Sequence, residues 1–318
     1  ADYPIATSLI AEFTPKEHRS ISMGMVSAAW YLGATVAAVV GYGLYGVDGG
    51  WKWMLGSAVA PCVVLLVGRH DIPESPLWLA SKGRHAEARA VMDRVFGPDV
   101  ELAPAKPTGT TPLATLMHGE YLKRMVFLGV LILCQVVPMY AIYTFGPEIM
   151  TAFGLGEGHE AILGESAVSL FFLIGSIQAM FWLNSMGRRP LLLMSFALMT
   201  AGLLVLGLWP TAPVAVVILA FGLYAFFSGG PGILQWLYPN ELFPTEVRAT
   251  AVGIAIGFSR IGTIAATYGT PLALDAWGIG PVMLAAAGLV LLGLVLSYFL
   301  APETRGKSLA ETSGVANR

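Results

Sequence analysis

Charge is scarce in this sequence. Of its 318 residues only 12% are Asp, Glu, Lys or Arg, against roughly 25% in a soluble globular domain. Too little charge is present to coat a water-facing surface, which excludes a soluble enzyme. The 20 acidic and 18 basic residues nearly cancel, to a net charge of −2, and leave no basic field for nucleic acid. Cysteine is rarer still. Cys62 and Cys134 sit in apolar runs with no histidine nearby, so a disulfide framework and a metal site both lack their ligands, and the two read as small apolar helix residues. The five histidines all fall outside the apolar runs, which removes a histidine proton relay. Hydrophobic residues, by contrast, make up 56% of the chain. The 37 glycines and 20 prolines would signal disorder in a polar chain but here interrupt apolar runs. This composition predicts an all-α integral membrane protein.

Nearly charge-free stretches mark the spans: 20–45, 50–68, 125–147, 166–186, 190–209, 213–240, 249–274 and 276–301. Each can cross about 30 Å of hydrocarbon as a helix, and residues 1–13 look like half of another. The Trp209–Pro213 segment carries the turn chemistry that divides a long uncharged block in two. Lys and Arg fall almost entirely in alternate connections, and the intervening ones hold Lys52 alone. By the positive-inside rule the 69–124 loop and the C-terminus are cytoplasmic, while the connections near 46–52, 148–165, 209–213 and 275–280 face outward. Within the loop, 81–92 reads as a short amphipathic helix, followed by a linker with Pro98, Pro104, Pro107 and Pro112.

The chain repeats itself. Residues 12–19 and 241–248 share E-x-x-P-x-E-x-R. The same shift carries Gly24 onto Gly253, Gly33 onto Gly262, and Pro73-Glu74-Ser75 onto Pro302-Glu303-Thr304. Three matches in register predict two parallel related halves. The repeat also predicts that three helices and half of a fourth precede residue 1, about 110–130 residues by the same logic.

Depth can be counted along each helix. About 11 residues, or about 16 Å, lead from a charged end to the bilayer middle. This count reaches Trp30 from Arg19, Gln135 from Arg124, Arg260 from Arg248, and Asp2 from Phe13. From the outer ends, Gln178 and Tyr224 reach a similar depth, with Tyr140 and Tyr143 above Gln135. This polar and aromatic band is where a substrate would sit. Arg260 stands out, because a mid-membrane cation costs about 2.5–3.5 kcal/mol. It needs a bound anion, Asp2 or freed carbonyls as partner. The readings are carboxylate recognition or a permanent interhelix pair. Asp2, the one mid-membrane acid, suits proton coupling or a structural role. Gln135, Gln178, Tyr140, Tyr143 and Tyr224 can hydrogen-bond a substrate or each other's helices, and Trp30 suits stacking on a substrate ring as well as plain packing. The Ser228–Gly232 run predicts a gating hinge, with close packing on small residues as the alternative. Glu12, Arg19, Glu74, Arg188, Arg189, Glu241, Arg248 and Glu303 all lie at cytoplasmic helix ends, and the repeat relates Glu12 to Glu241, Arg19 to Arg248 and Glu74 to Glu303. They are expected to form a conformational lock that breaks on inward opening, the alternative being charges that set topology alone.

At these motifs the sequence resembles the major facilitator superfamily, and within it the sugar-porter and metabolite:proton symporter branch. The run 73–79, P-E-S-P-L-W-L, is similar to the P-E-S-P-R-W-L signature, with Leu77 in place of Arg. The run 302–307 is similar to P-E-T-K-G-K, and 184–189 to D-x-x-G-R-R with Asn184 for Asp. Ala1-Asp2-Tyr3-Pro4 resembles the fourth-helix motif of proton-coupled phosphate symporters. On the seventh helix, Gln135 matches the sugar-porter pattern but Met139-Tyr140-Ala141 replaces its Gly-Ile-Asn, and the phosphate symporters' Asp is absent. The resemblance implies a major facilitator fold, helices 4 (partial) to 12 of a 6+6 pseudo-symmetric bundle, and an N-terminally truncated fragment. Residues 1–68 would be the rest of the N-terminal bundle, 69–123 the central loop, 124–301 the C-terminal bundle and 302–318 a cytoplasmic tail.

These readings together predict a secondary transporter in the cell inner membrane, not an enzyme. It would move a small polar or anionic metabolite by alternating access, driven by a proton gradient with no bound cofactor or metal. The expected partners are the bilayer, the substrate and the proton, with the protein monomeric. A neutral-sugar symporter or facilitator, and a transporter-like sensor that moves nothing, are the alternatives.

Overall fold

The computed structural model describes residues 6–7, 9–10, 13–14, 18–97, 119–154, 156, 159–243 and 245–306, with backbone alone at 19, 20, 77, 81, 159–161, 245, 246 and 249. Among the described residues there is no strand. Among the described residues, eight helical segments are long and apolar enough to cross a membrane. We label the helices α1 (Arg19–Leu44), α2 (Gly50–Ser57), α3 (Val59–Gly68), α4 (Pro76–Ser81), α5 (His85–Phe96), α6 (Gly119–Thr144), α7 (Gly146–Ala152), α8 (His159–Met186), α9 (Arg188–Leu208), α10 (Val214–Leu242), α11 (Thr245–Trp277) and α12 (Ile279–Leu300).

Local chemistry explains the breaks. The 50–68 span is two helices, α2 and α3, meeting at Ala58. Pro61 follows one turn into α3, has no N–H to offer the Ser57 carbonyl, and crowds it with its ring. Between α3 and the loop helices, Ser75 accepts the Trp78 N–H at 3.0 Å and Pro76 opens α4, an N-cap followed by proline at the first turn. The amphipathic helix expected over 81–92 is displaced. Gly83 (φ +75°) ends α4's turn, and α5 then runs from His85 to a stop at Gly97 (φ +89°). Ion pairs Arg84–Glu87 and Arg89–Asp93 lie along it. The connection expected over 148–165 is mostly helical: Pro147 starts the short α7, and α8 already begins at His159.

The core lies between α6 and α8–α12, around Phe127, Leu128, Leu131, Phe172, Phe196, Leu203, Phe221 and Leu234, all at most 2% exposed. In lipid these side chains gain little from leaving their surroundings, so close packing must hold the helices together. Glycine supplies the closeness. A Cβ on Gly175 of α8 would strike the Phe226 backbone of α10, and one on Gly229 would come within 2.5 Å of the Gly175 and Ser176 backbone. A Cβ on Gly202 of α9 would come within 2.7 Å of the Ala220 carbonyl of α10. The helix α10 runs unbroken through Ser228–Gly232 despite Pro231; here the glycines serve close packing. The helix α1 packs against α8 and α10, whereas α2 and α3 leave Trp51, Trp53, Leu55 and Val63–Val67 exposed.

Candidate functional site

One cavity joins α1, α6, α10 and α11. Trp30 and Tyr31 enter it from α1, Tyr140 from α6, Gln235 and Trp236 from α10, and Ser259 and Arg260 from α11. The Arg260 guanidinium lies over the Tyr140 ring, 5.4 Å from its centroid, a cation on the negative face of the ring. Among the described residues no carboxylate pairs with it. Trp30 meets Tyr31 edge-on at 5.1 Å and Tyr143 edge-on at 5.4 Å. The aromatic chain continues through Phe172, 5.2 Å from Tyr143, to Tyr224, 5.8 Å further on.

Thus Trp30, Tyr140 and Arg260 share one cavity, and Tyr143 stands behind Trp30. Tyr224 is fully buried, two rings away from Trp30's neighbour. Gln135 does not reach the cavity wall. It is buried, and its Nε2 donates to the Ser228 backbone carbonyl at 3.1 Å and to Ser228 Oγ at 2.7 Å. Gln135 is therefore a clip between α6 and α10, because depth along a helix does not specify the face. Gln178 is half-buried on α8 and is not part of the cavity lining. Asp2 lies outside the described residues.

The sequence reading missed Ser27, Tyr31, Gln235 and Ser259. A signal existed for three of them: Ser27 and Tyr31 lie one turn before and one residue after Trp30, and Gln235 is an amide in an uncharged span. Ser27 and Tyr31 converge on Gly232. A Cβ there would stand 3.0 Å from Tyr31 Oη, 3.4 Å from Ser27 Oγ and 3.7 Å from Gln135 Nε2.

A second cluster occupies the end of the bundle that carries the charged loops. Arg188 Nη2 lies 2.9 Å from Glu241 Oε1, and Thr304 Oγ1 donates to the other Glu241 oxygen. The Glu303 carboxylate accepts the backbone N–H groups of Arg188 (3.2 Å), Arg189 (3.0 Å) and Arg305 (2.8 Å). Burial works against its charge, but these three donors and the Arg188 guanidinium outweigh burial and hold Glu303 below the usual carboxylate range. Gly187 makes the approach possible: its φ is +96°, and a Cβ there would meet Glu303 Oε2 at 2.8 Å. Arg189 donates to the Tyr298 carbonyl at 2.7 Å, and Arg305 to that of Ser185. Arg248 turns back on the Phe243 carbonyl at 3.3–3.4 Å. Arg188, Arg189, Glu241 and Glu303 thus form one network with Arg248 close in the chain. Glu74 is exposed before α4, and Glu12 and the Arg19 side chain lie outside the described residues.

The family model for sugar (and other) transporters matches residues 1–315. The chain is 52% identical over 318 residues to YaaU of Escherichia coli (strain K12), spanning all of this chain and 72% of that one. It is 33% identical over 316 residues to the inner membrane metabolite transport protein YgcS of the same organism, spanning 99% and 70%. Its backbone is similar to that of the major facilitator proton:xylose symporter XylE of E. coli bound to 6-bromo-6-deoxy-D-glucose. The TM-score is 0.79 at 22% identity, over 98% of this chain and 70% of that one. The architecture is the major facilitator fold, and the relatives are transporters, not enzymes. With its family model matched almost end to end and its spanning helices packed around a largely apolar cavity that holds Arg260 and a few polar side chains, the chain belongs to the sugar (and other) transporter family of multi-pass membrane proteins.

Proposed function

We propose that this transporter carries a small anionic or polar metabolite by alternating access, driven by the proton gradient. The observation that carries the reading is Arg260: a guanidinium near the middle of a spanning helix, set against Tyr140 in a cavity also lined by Trp30. A cation at that depth costs about 2.5–3.5 kcal/mol, and a carboxylate bound in fork geometry offsets it. Asp2 is the proposed proton-coupling acid, and no cofactor beyond the gradient is required. The distribution of Lys and Arg supports an inner-membrane orientation with 69–123 and 302–318 in the cytoplasm. The internal repeat supports a division into 1–68 and 124–301 as parts of two six-helix bundles. The protein acts as a monomer in this reading. Counterflow in proteoliposomes with labelled organic acids and sugars, with and without a proton gradient, tests it: acids should exchange, and a gradient should drive accumulation.

A neutral sugar is the second reading, favoured by the likeness to XylE, whose structure holds a glucose analogue. Robust hexose exchange with no organic-acid exchange would select it.

A further inference from the structure

The cavity walls differ in chemistry. From α11 comes a cation, Arg260, beside Ser259, whose hydroxyl is spent on the Ile256 carbonyl at 2.7 Å. From α1 and α10 come neutral hydrogen-bonding groups: the hydroxyls of Ser27 and Tyr31 and the amide of Gln235. Gln235 Nε2 is committed to the Gly232 carbonyl at 3.1 Å, so the amide oxygen is the end left to accept a donor. The Tyr31 hydroxyl lies 3.6 Å from Met139 Sδ and within hydrogen-bonding reach of Ser228 and Gln135, so Ser27 and Gln235 carry most of the free capacity of this wall. Behind it, Gln135 is fully buried, and its Oε1 has no partner among the described residues. Such an orphaned acceptor is costly unless something donates to it.

Gly232 holds this neutral wall together. With hydrogen alone at that position, Tyr31 Oη, Ser27 Oγ and Gln135 Nε2 all converge within 3.0–3.7 Å of where a Cβ would be. An added methyl would push the Tyr31 hydroxyl by a few tenths of an ångström. A simple fatty acid or dicarboxylate would satisfy Arg260 and leave the neutral wall unpaired. A neutral sugar would do the reverse.

We propose that the substrate is a hydroxylated carboxylate of the sugar-acid class. Its carboxylate sits on Arg260, its hydroxyls sit on the Ser27–Tyr31–Gln235 wall, and Gly232 is the specificity-determining residue of that wall. This rests on the transporter reading above and names its substrate class.

The test uses the protein as its gene encodes it, purified in detergent. Quenching of Trp30 and Trp236 reports binding of D-gluconate, D-glucuronate, D-glucose, hexanoate and succinate, and counterflow in proteoliposomes runs in parallel. A sugar acid should bind about 10- to 100-fold more tightly than glucose and than either simple acid, the increment of one charge-assisted pair or of the hydroxyl contacts. Arg260→Gln should bring the sugar acid down to the level of glucose. Gly232→Ala should bring it down towards hexanoate, so that the ratio of sugar-acid to hexanoate affinity approaches one. Where Gly232→Ala fails to fold, Ser27→Ala takes its place with the same expectation. Glucose or a simple acid binding as well as the sugar acids overturns the proposal while the transporter reading stands. So does a sugar-acid preference that survives both substitutions. Absence of counterflow and binding with every compound contradicts the transporter reading itself.

Discussion

At the scale of single residues, position along a helix is legible in the sequence and the facing partner is not. Arg260 stands out because it is the lone cation in the middle of an apolar run, and Trp30 because it lies at the right depth. Gln135 lies at the right depth too, but the helical face that carries it turns to Ser228. Tyr31 and Gly232 matter only together, across two helices far apart in sequence, and no local pattern announces such a meeting. The Arg188–Glu241 pair shows the same limit: the repeat marked Glu241 and the G-R-R motif marked Arg188, but neither says that they pair with each other. Their side chains are 12% and 9% exposed. Removing one charge of so buried a pair leaves the Arg188 guanidinium with Glu303 as its acidic neighbour and loses a charged hydrogen bond, at a cost of about 1.5–3 kcal/mol. Glu241→Gln should therefore lower the thermal unfolding midpoint in detergent by several degrees, and an unchanged midpoint would contradict the pairing. Glu303 gives a pH signature. Its carboxyl is held below the ordinary range, so its stabilisation is complete above the unfolded-state value, near about 4.3 for a glutamate. That stabilisation is lost as pH falls through the lower folded-state value. Midpoints measured from about pH 7 to about pH 3 should fall more steeply for the parent than for Glu303→Gln.

At the scale of elements, long apolar runs were readable as helices because a helix in lipid satisfies its own backbone. Their ends were less readable. Polar first turns extend α6 back to Gly119 and α8 back to His159, where falling hydropathy suggested a loop. The short α7 is invisible to hydropathy and follows from Pro147. The Ser228–Gly232 run was open to two readings, hinge or close packing. Its Gly229 lies against the backbone of Gly175 on α8, while Gly230 and Gly232 leave room for the side chains of Ser195 and Tyr31, so close packing has direct support at each glycine. Gly175→Ala should separate α8 from α10 and cost about 1–3 kcal/mol, as overpacking does. Gly253→Ala, where an added Cβ meets nothing within 4 Å, should cost little. Unfolding midpoints of the two variants, compared side by side, check this.

At the scale of the molecule, the apolar spans and the sugar-porter motifs already pointed to an all-helical membrane protein of the major facilitator fold. The substrate was least legible, because it depends on what four helices jointly present to one cavity. The network of Arg188, Arg189, Glu241 and Glu303 ties the start of α9 and the end of α10 to the segment after α12. If it exists in one conformation only, it biases a two-state equilibrium. We predict that Glu241→Lys shifts the population towards inward opening. Cysteine labelling of cavity positions from the charged side should then rise, and unchanged labelling would contradict the lock.

The central claim is that Arg260 recognises a carboxylate on the transported molecule. Counterflow of labelled organic acids, sugar acids included, by the protein and by Arg260→Gln tests it most directly. The account predicts acid exchange by the parent and a loss of about 10- to 100-fold in the variant. Equal acid exchange by both, or exchange of neutral sugars alone by the parent, would contradict it.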